Sequence, residues 1–454
     1  MSDNNSEKPN QISKLRRYAN VSSAVGGLAM KLAGERYLGI EINRDNHAKT
    51  LASVLGGLKG PLMKVAQILS TIPDALPPEY RKELSKLQAN APSMGWLFVQ
   101  RRMKSELGNK WNEKFKSFEK KSNSAASLGQ VHIAISKKGE KLACKLQYPD
   151  MQSTIQADLN QLKMVFSVYE KTSKAISTSS IHSELSARLY EELNYKREAA
   201  NIKLFSEMLK NEKQIHVPKV FKDLSSDRLL TMSWLEGKKL TDWLGNKTSL
   251  EERNNLALNM FKAWYVPFYF YGVIHGDPHL GNYSITQKNE INLLDYGSIR
   301  FFPPHFVEGV INLYEALKNK DEALAVEAYK KWGFGNLSKE IIEILNLWAN
   351  FIYAPLLTND SKPISELRDS KEGRNVASKV YSKLKKIGGV EPPREFVLMD
   401  RAAVGLGSVF MHLKSEVNWH KVFENMIEDF KVEKLSKNQK KVAKLAGIDI
   451  ETIE

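Results

Sequence analysis

The stretch HGDPHLGN (His275–Asn282), with LLDYGS (Leu293–Ser298) close behind it, decides how this chain is read. It sets Asp277 and Asn282 five residues apart in a loop punctuated by Pro278 and Gly281, and Asp295 follows after the short apolar run INLL. The apolar segment WYVPFYFYGVI (Trp264–Ile274) leads into it. That run is too short and too interrupted to span a bilayer, and it reads as a buried segment delivering a polar loop. Two carboxylates and an amide oxygen brought together from consecutive loops form an oxygen-rich site. Such a site suits Mg2+, a hard cation that usually completes its shell with phosphate.

Composition narrows the classes. The 454 residues, 42% of them hydrophobic, are enough for one large core or roughly two to three modest ones. The single Cys144 excludes an intramolecular disulfide framework and a cysteine-based metal site, and it fits a reducing compartment. A formal charge of +15 attracts polyanions: nucleic acid, nucleotide or an acidic membrane face. The excess is lysine scattered among acids, with no RNA- or DNA-binding motif, so no nucleic-acid partner is expected. The N-terminus, MSDNNSEKPNQISKLRR, carries Asp3 and Glu7 and has no apolar signal core. No segment reads as a transmembrane helix. A cytoplasmic protein, at most peripheral on a membrane, is the expectation.

Periodicity divides the chain. Residues 1–20 read as disordered. Residues 21–110 read as a helical extension, with Leu51, Val54, Leu55, Leu58, Val65, Ile68 and Leu69 on one apolar face and Gly56, Gly57, Gly60 and Pro61 interrupting it. Residues 111–236 change period. GQVHIAIS (Gly129–Ser136), a KKGE turn and EKLACKLQYP (Glu140–Pro149) read as a β-hairpin with Lys145 near the end of its second strand. A helical stretch from Met151 follows, then one long helix over Ser183–Asn211, then strand-like runs in His216–Gly237. Residues 237–430 read as predominantly helical around the opening loops, and residues 431–454 as a basic tail.

The hairpin carries the next candidates. NSAASLGQV (Asn123–Val131) stands where a nucleotide-binding hairpin covers phosphates with small residues, with Ala125 and Ala126 where Gly is usual and Ser127 beside them as a further candidate. On these residues alone the turn also reads as structural, and Lys145 as an outward-facing side chain. The functional reading makes Lys145 a phosphate partner held by a carboxylate, with Glu198 as first candidate and Glu191 or Glu192 as substitutes.

Taken together, KVAQ (Lys64–Gln67), SAASLGQVH, ACKLQYP, EELNYKREAAN, HGDPHLGN and LDYGS occur in the order of the UbiB/ADCK (AarF-domain) atypical kinases, which the chain resembles over roughly residues 20–430. The resemblance implies an α+β, atypical protein-kinase-like bilobal fold with an N-terminal helical extension. It implies ATP and Mg2+ as cofactors. Lys145 would bind the phosphates and pair with Glu198, Asp277 would be the catalytic base, and Asn282 and Asp295 would hold the metal. MSWLEG (Met232–Gly237) would be the hinge, with Met232 against adenine and Gly237 relaxing the crossover. Lys64 and Gln67 would come from the extension, with Glu192 engaging it near Lys64. His275 and His279 order the loop rather than bind Mg2+, which disfavours imidazole. The chain departs from the family pattern at Ala66, Leu280 and Tyr296, and at Asn194, which removes one carboxylate of an acidic pair.

The same resemblance implies slow ATPase or small-molecule kinase activity supporting ubiquinone (prenyl quinone) biosynthesis at a membrane, with pathway proteins or a lipid precursor as partners. A nucleotide-gated scaffold with little turnover is the alternative, and a protein kinase the third reading. An anionic membrane surface is a further candidate partner. VSSAVGGLAMKLAGERYLG (residues 21–39) puts Val21, Val25, Leu28 and Leu32 on one helical face, and the tail carries six Lys.

Overall fold

The computed structural model describes residues 94–126, 128–172, 178–335, 337–367 and 393–450, with positions 380 and 383. The extension before residue 94, with Lys64, Gln67 and the 21–39 stretch, and Ser127 of the Ala-rich loop, lie outside the described residues. Within them the chain forms two compact units. One runs to Lys196 and takes in Phe221–Ser233; the other comprises Arg197–Val220 and the chain from Trp234 onward.

The first unit grows from the alternation of GQVHIAIS and KLACKLQ. Helix α1 (Trp96–Leu107) leads to β1 (Phe115–Phe118), β2 (Ser124–Ala126), β3 (Gly129–Ser136) and β4 (Lys141–Gln147). Strands β3 and β4 form the expected antiparallel hairpin, with Val131 opposite Lys145. Strands β1 and β2 share the other edge of β3, and Ala126 stands opposite Gly129. Helices α2 (Met151–Thr172) and α3 (Thr178–Leu193) follow. Helix α1 belongs to this unit's core: Val99 and Met103 pack with Trp111, Phe115, Leu142 and Leu146. The boundary drawn at residue 110 thus falls after a helix that the sheet has already claimed.

The long helix read over Ser183–Asn211 is two. Asn194 separates α3 from α4 (Tyr195–Met208), and its backbone N–H donates to the Glu191 carbonyl at 3.0 Å. Asn competes for local backbone hydrogen bonds and has weak helix propensity, which the apolar periodicity on either side concealed. Helix α4 starts in the first unit and from Arg197 belongs to the second. The apolar runs of His216–Gly237 also divide: β5 (Ile215–His216) lies in the second unit, whereas β6 (Leu229–Ser233) completes the first unit's sheet against β4.

Inside the first unit, His132 is fully buried; its Nδ1 lies 2.9 Å from the Glu119 carbonyl and its Nε2 2.8 Å from Gln130 Nε2. The carbonyl requires Nδ1–H, so Nε2 accepts from the amide and the ring is neutral. Burial lowers the His132 pKa, against the pull of the Glu119 carbonyl and charge. An unfolded His takes up its proton first as pH falls, so this contribution to stability is present above the unfolded pKa and lost between it and the lower folded value. The urea midpoint is expected to fall below about pH 6.5, and His132→Asn to weaken that slope.

The second unit contains β7 (Lys238–Lys239), α5 (Leu250–Tyr271), β8 (Val273–His275), β9 (Tyr283–Ile285), β10 (Ile291–Leu293) and β11 (Ile299–Phe301). Helices α6 (Pro304–Asn319), α7 (Glu322–Lys331), α8 (Lys339–Leu357), α9 (Arg394–Leu413), α10 (Trp419–Ile427) and α11 (Val432–Ala446) are its longer elements beyond these. Strands β9 and β10 form a hairpin flanked by β7 and β5, while β8 pairs with β11. The predominantly helical reading of residues 237–430 missed these short strands, each too brief to show a period. Gly237 has a packing role that the sequence reading did not assign. A Cβ there would lie 2.8–2.9 Å from Asn292 Nδ2, Ile285 O and Ser284 Oγ, so glycine is needed for close backbone approach.

The basic tail folds as α11, with Leu435, Gln439, Val442, Ala443 and Ala446 buried. Among the described residues, helix α8 is long and apolar enough to cross a membrane by length and composition. Ile341, Ile344, Leu345, Trp348 and Ala349 are buried within the unit, the pattern of a core helix. The architecture, an open-sheet unit and a mainly helical one, is the α+β arrangement of an atypical protein-kinase-like fold.

Candidate active site

The loop is delivered as its sequence anticipates. Helix α5 ends at Gly272, whose φ of 61° is the left-handed conformation glycine adopts without strain, and its N–H caps the Phe268 carbonyl. Buried Gln439 of α11 donates to the Phe302 carbonyl at 2.9 Å and faces Gly272, fixing the turn into β8. Residues 276–282 then cross to β9, and residues 294–298 cross from β10 to β11. These two crossings carry Asp277, Asn282 and Asp295.

His275 joins them. Its Nδ1 accepts from the Asp277 N–H at 3.1 Å, and its Nε2 lies 2.8 Å from the Asp295 carbonyl. The two contacts fix a neutral ring carrying its proton on Nε2, because a carbonyl can only accept. His279 accepts from the Gly281 N–H at 3.0 Å. Both imidazoles thus order backbone. His275→Ala would leave the part-buried Asp277 N–H and Asp295 carbonyl without this partner, at up to about 1 kcal/mol for each lost hydrogen bond. A fall in the chemical-denaturation midpoint of the full chain is the expected result.

The Asn282 side chain is aimed by its amide. Nδ2 donates to the Asp277 carbonyl at 3.0 Å, leaving Oδ1 as the acceptor end. Asp295 Oδ1 accepts from the Gly297 N–H at 2.9 Å, an Asx-type turn that sets the carboxylate's direction. The Asp277 loop is held through backbone atoms, and among the described residues no hydrogen bond ties its carboxylate.

Two buried tyrosines report how the acids converge. Burial first, then Asp277 and Asp295, raise the Tyr283 pKa against the hydrogen bond from Trp264. Burial, then Asp295 and Glu198, raise that of Tyr296. Asp277 and Asp295 therefore share one neighbourhood, and Asp295 and Glu198 the next. Glu198 is 3% exposed on α4. Three and seven residues further on, Asn201 Nδ2 donates to the Tyr296 carbonyl at 2.8 Å and the Phe205 ring packs edge-on to Tyr296 and His275. One face of α4 thus supports both crossings. Neither His275's bridging role nor Asn201 was assigned from sequence. A buried Asn within the apolar face of EAANIKLF was the available signal.

The remaining candidates lie in the first unit. Lys145 is half-buried on β4, with Nζ 5.3 Å from the centre of the Tyr195 ring, and Tyr195 precedes Glu198 by three residues on α4. Met232 is 8% exposed on β6 opposite Ala143, one residue before the end of that strand. Ala125 and Ala126 are the last two residues of β2. Glu192 is half-buried near the end of α3. A Cβ at Gly129 would overlap the Leu146 carbonyl, so the Ala-rich motif has one position where glycine is obligatory.

The donor set fits a nucleotide-bound magnesium ion. It offers oxygen only, from an oriented amide and a carboxylate, while the imidazoles are engaged with backbone. Among the described residues no cluster of three or more His, Cys, Asp or Glu could hold a metal without further ligands. Phosphate oxygens would complete such a shell.

The ABC1 atypical kinase-like domain profile matches residues 86–329, more than half of the chain. The chloroplastic protein Activity of BC1 Complex Kinase 3 of Arabidopsis thaliana is 31% identical over 69% of this chain and 45% of its own length. The mitochondrial atypical kinase COQ8 of Saccharomyces cerevisiae is 29% identical over 65% of this chain and 61% of its own. The chain thus spans about half the length of the curated relatives it matches. The solved erythromycin complex of Mycobacterium tuberculosis Rv3197 superposes with a TM-score of 0.57 at 26% identity, covering 84% of this chain and 96% of that one. With the profile spanning both the Lys145 strand and the His275–Ser298 loops, the chain belongs to the ABC1 atypical kinase-like family.

Proposed function

We propose that this chain binds MgATP and acts as a slow ATPase or small-molecule kinase, serving prenyl-quinone (ubiquinone) biosynthesis at a membrane. The observation that carries the nucleotide reading is the convergence of Asp277, Asn282 and Asp295 on crossings locked together by His275. Asn282 and Asp295 would hold Mg2+, which when bound neutralises charge on the phosphates. Lys145 would pair with the phosphates, steadied by Glu198. Ala125, Ala126 and Ser127 would cover them, and Met232 would meet the adenine. Lys64 and Gln67 of the extension would limit access, with Glu192 engaging the extension near Lys64.

Asp277 would orient the attacking hydroxyl or water and receive its proton as its oxygen bonds to the γ-phosphorus, the bond from that phosphorus to the β,γ-bridging oxygen breaks and ADP departs. Catalysis of this kind is mostly positioning and charge stabilisation, so these few groups suffice. The quinone setting rests on the family resemblance and on the names of the relatives, among them a mitochondrial atypical kinase.

A nucleotide-gated scaffold is favoured by one observation: Asn194 stands in the break between α3 and α4, where the family pattern has a carboxylate. Phosphate release from MgATP by the purified chain, with and without anionic vesicles, separates the two. Turnover supports the enzyme reading. Nucleotide-dependent thermal stabilisation without turnover transfers the weight to the scaffold.

A further inference from the structure

Lys145 lies on the face of β4 turned away from α1. Leu142, Cys144 and Leu146 enter the core with Val99 and Met103, and side chains alternate along a strand, so Lys145 and Gln147 share the opposite face. The junction of α3 and α4 is fastened to that face. Gln147 Nε2 donates to the carbonyl of Leu193, the last residue of α3, at 3.1 Å. Gln147 is itself held through its backbone. Its N–H donates to the Arg228 carbonyl at 3.1 Å, and its carbonyl accepts from Nε of buried Arg102 at 3.3 Å. Two residues beyond Leu193, Tyr195 opens α4 and is 2% exposed.

The Tyr195 ring turns its face to Lys145, whose Nζ stands 5.3 Å from the ring centre. Its hydroxyl lies against Gly129, where a Cβ would come within 3.0 Å of it, and Gly129 stands opposite Ala126 of the Ala-rich motif. One buried ring therefore touches both the cation and the turn beside it. A ring face attracts an ammonium through its quadrupole while carrying no net charge. A second carboxylate would hold Lys145 too, but its charge would repel an incoming phosphate. The ring adds hold without that repulsion. Lysine carries its ammonium on a flexible four-carbon stem, and a stem already placed has less freedom to lose when an anion binds.

We propose that Tyr195 is a positioning residue for Lys145: its ring face holds the ammonium where the phosphates of the nucleotide meet it. The proposal rests on the reading of Lys145 as the phosphate partner, so its test has one arm without nucleotide. In the full chain Tyr195 is exchanged for Phe and, separately, for trifluorophenylalanine, which keeps the ring's shape and drains charge from its face. Acetylation of Lys145 by acetic anhydride, read by mass spectrometry in the absence of nucleotide, is expected to run at least about twofold faster with the fluorinated ring than with Phe. MgATP affinity, measured by calorimetry, is expected to be at least about threefold weaker with the fluorinated ring. A role confined to packing would move neither comparison, since the two rings have the same shape. Equal acetylation of the two chains, or equal affinity for MgATP, would overturn the proposal. A Lys145→Met chain that binds MgATP as tightly as the wild type would overturn it through the nucleotide reading, and the expected acetylation difference beside that result would show that the fault lies there.

Discussion

An Asp295→Asn chain is expected to keep its fold and lose its affinity for MgATP by at least about a hundredfold, the scale for removing one partner of a close charge pair. The substitution separates structure from charge. Asp295 Oδ1 accepts from the Gly297 N–H, and an asparagine oxygen can do the same, so the turn survives. The Asp295 carbonyl, held by His275, is untouched. What disappears is the negative charge that the proposal sets against the cation. Isothermal titration with MgATP, beside a denaturation curve for each chain, distinguishes lost affinity from lost fold.

Asp277→Asn has a different expected signature. The loop depends on this residue through its N–H, bonded to His275, and its carbonyl, bonded to Asn282, and asparagine retains both. Nucleotide affinity should therefore change little. An amide cannot take the proton of an attacking hydroxyl, so turnover is expected to fall by about 10²–10⁴, the usual contribution of a positioned general base. A chain that loses binding as well as turnover would show that Asp277 helps hold the metal.

Much of this site was legible because its residue types are constrained. Asp, Asn, Pro and Gly at these spacings in HGDPHLGN, directly after an apolar run, leave few structural interpretations, and the loop follows the buried run as read, although the short strand β8 between them was not. The β3–β4 hairpin was legible for the same reason: alternation and a KKGE turn agree. The failures have local causes. Apolar positions continued in helical register across Asn194, hiding the break between α3 and α4. Six lysines in the C-terminal segment outweighed the opposite face, where Gln439 reaches the turn that delivers the loop. Gly237 was read for flexibility, whereas its role depends on the distant β9–β10 hairpin. Contacts such as Gly405 with Pro278 join residues 127 positions apart, beyond the reach of any local pattern.

The most direct measurement is a calorimetric titration of ATP into the wild-type chain, once with excess Mg2+ and once with EDTA. An oxygen-only site that binds the nucleotide through its metal should give saturable binding with Mg2+ and an affinity at least about tenfold weaker without it. Equal affinity in the two titrations, or no binding in either, would contradict the assignment of Asn282 and Asp295 as the metal-holding pair.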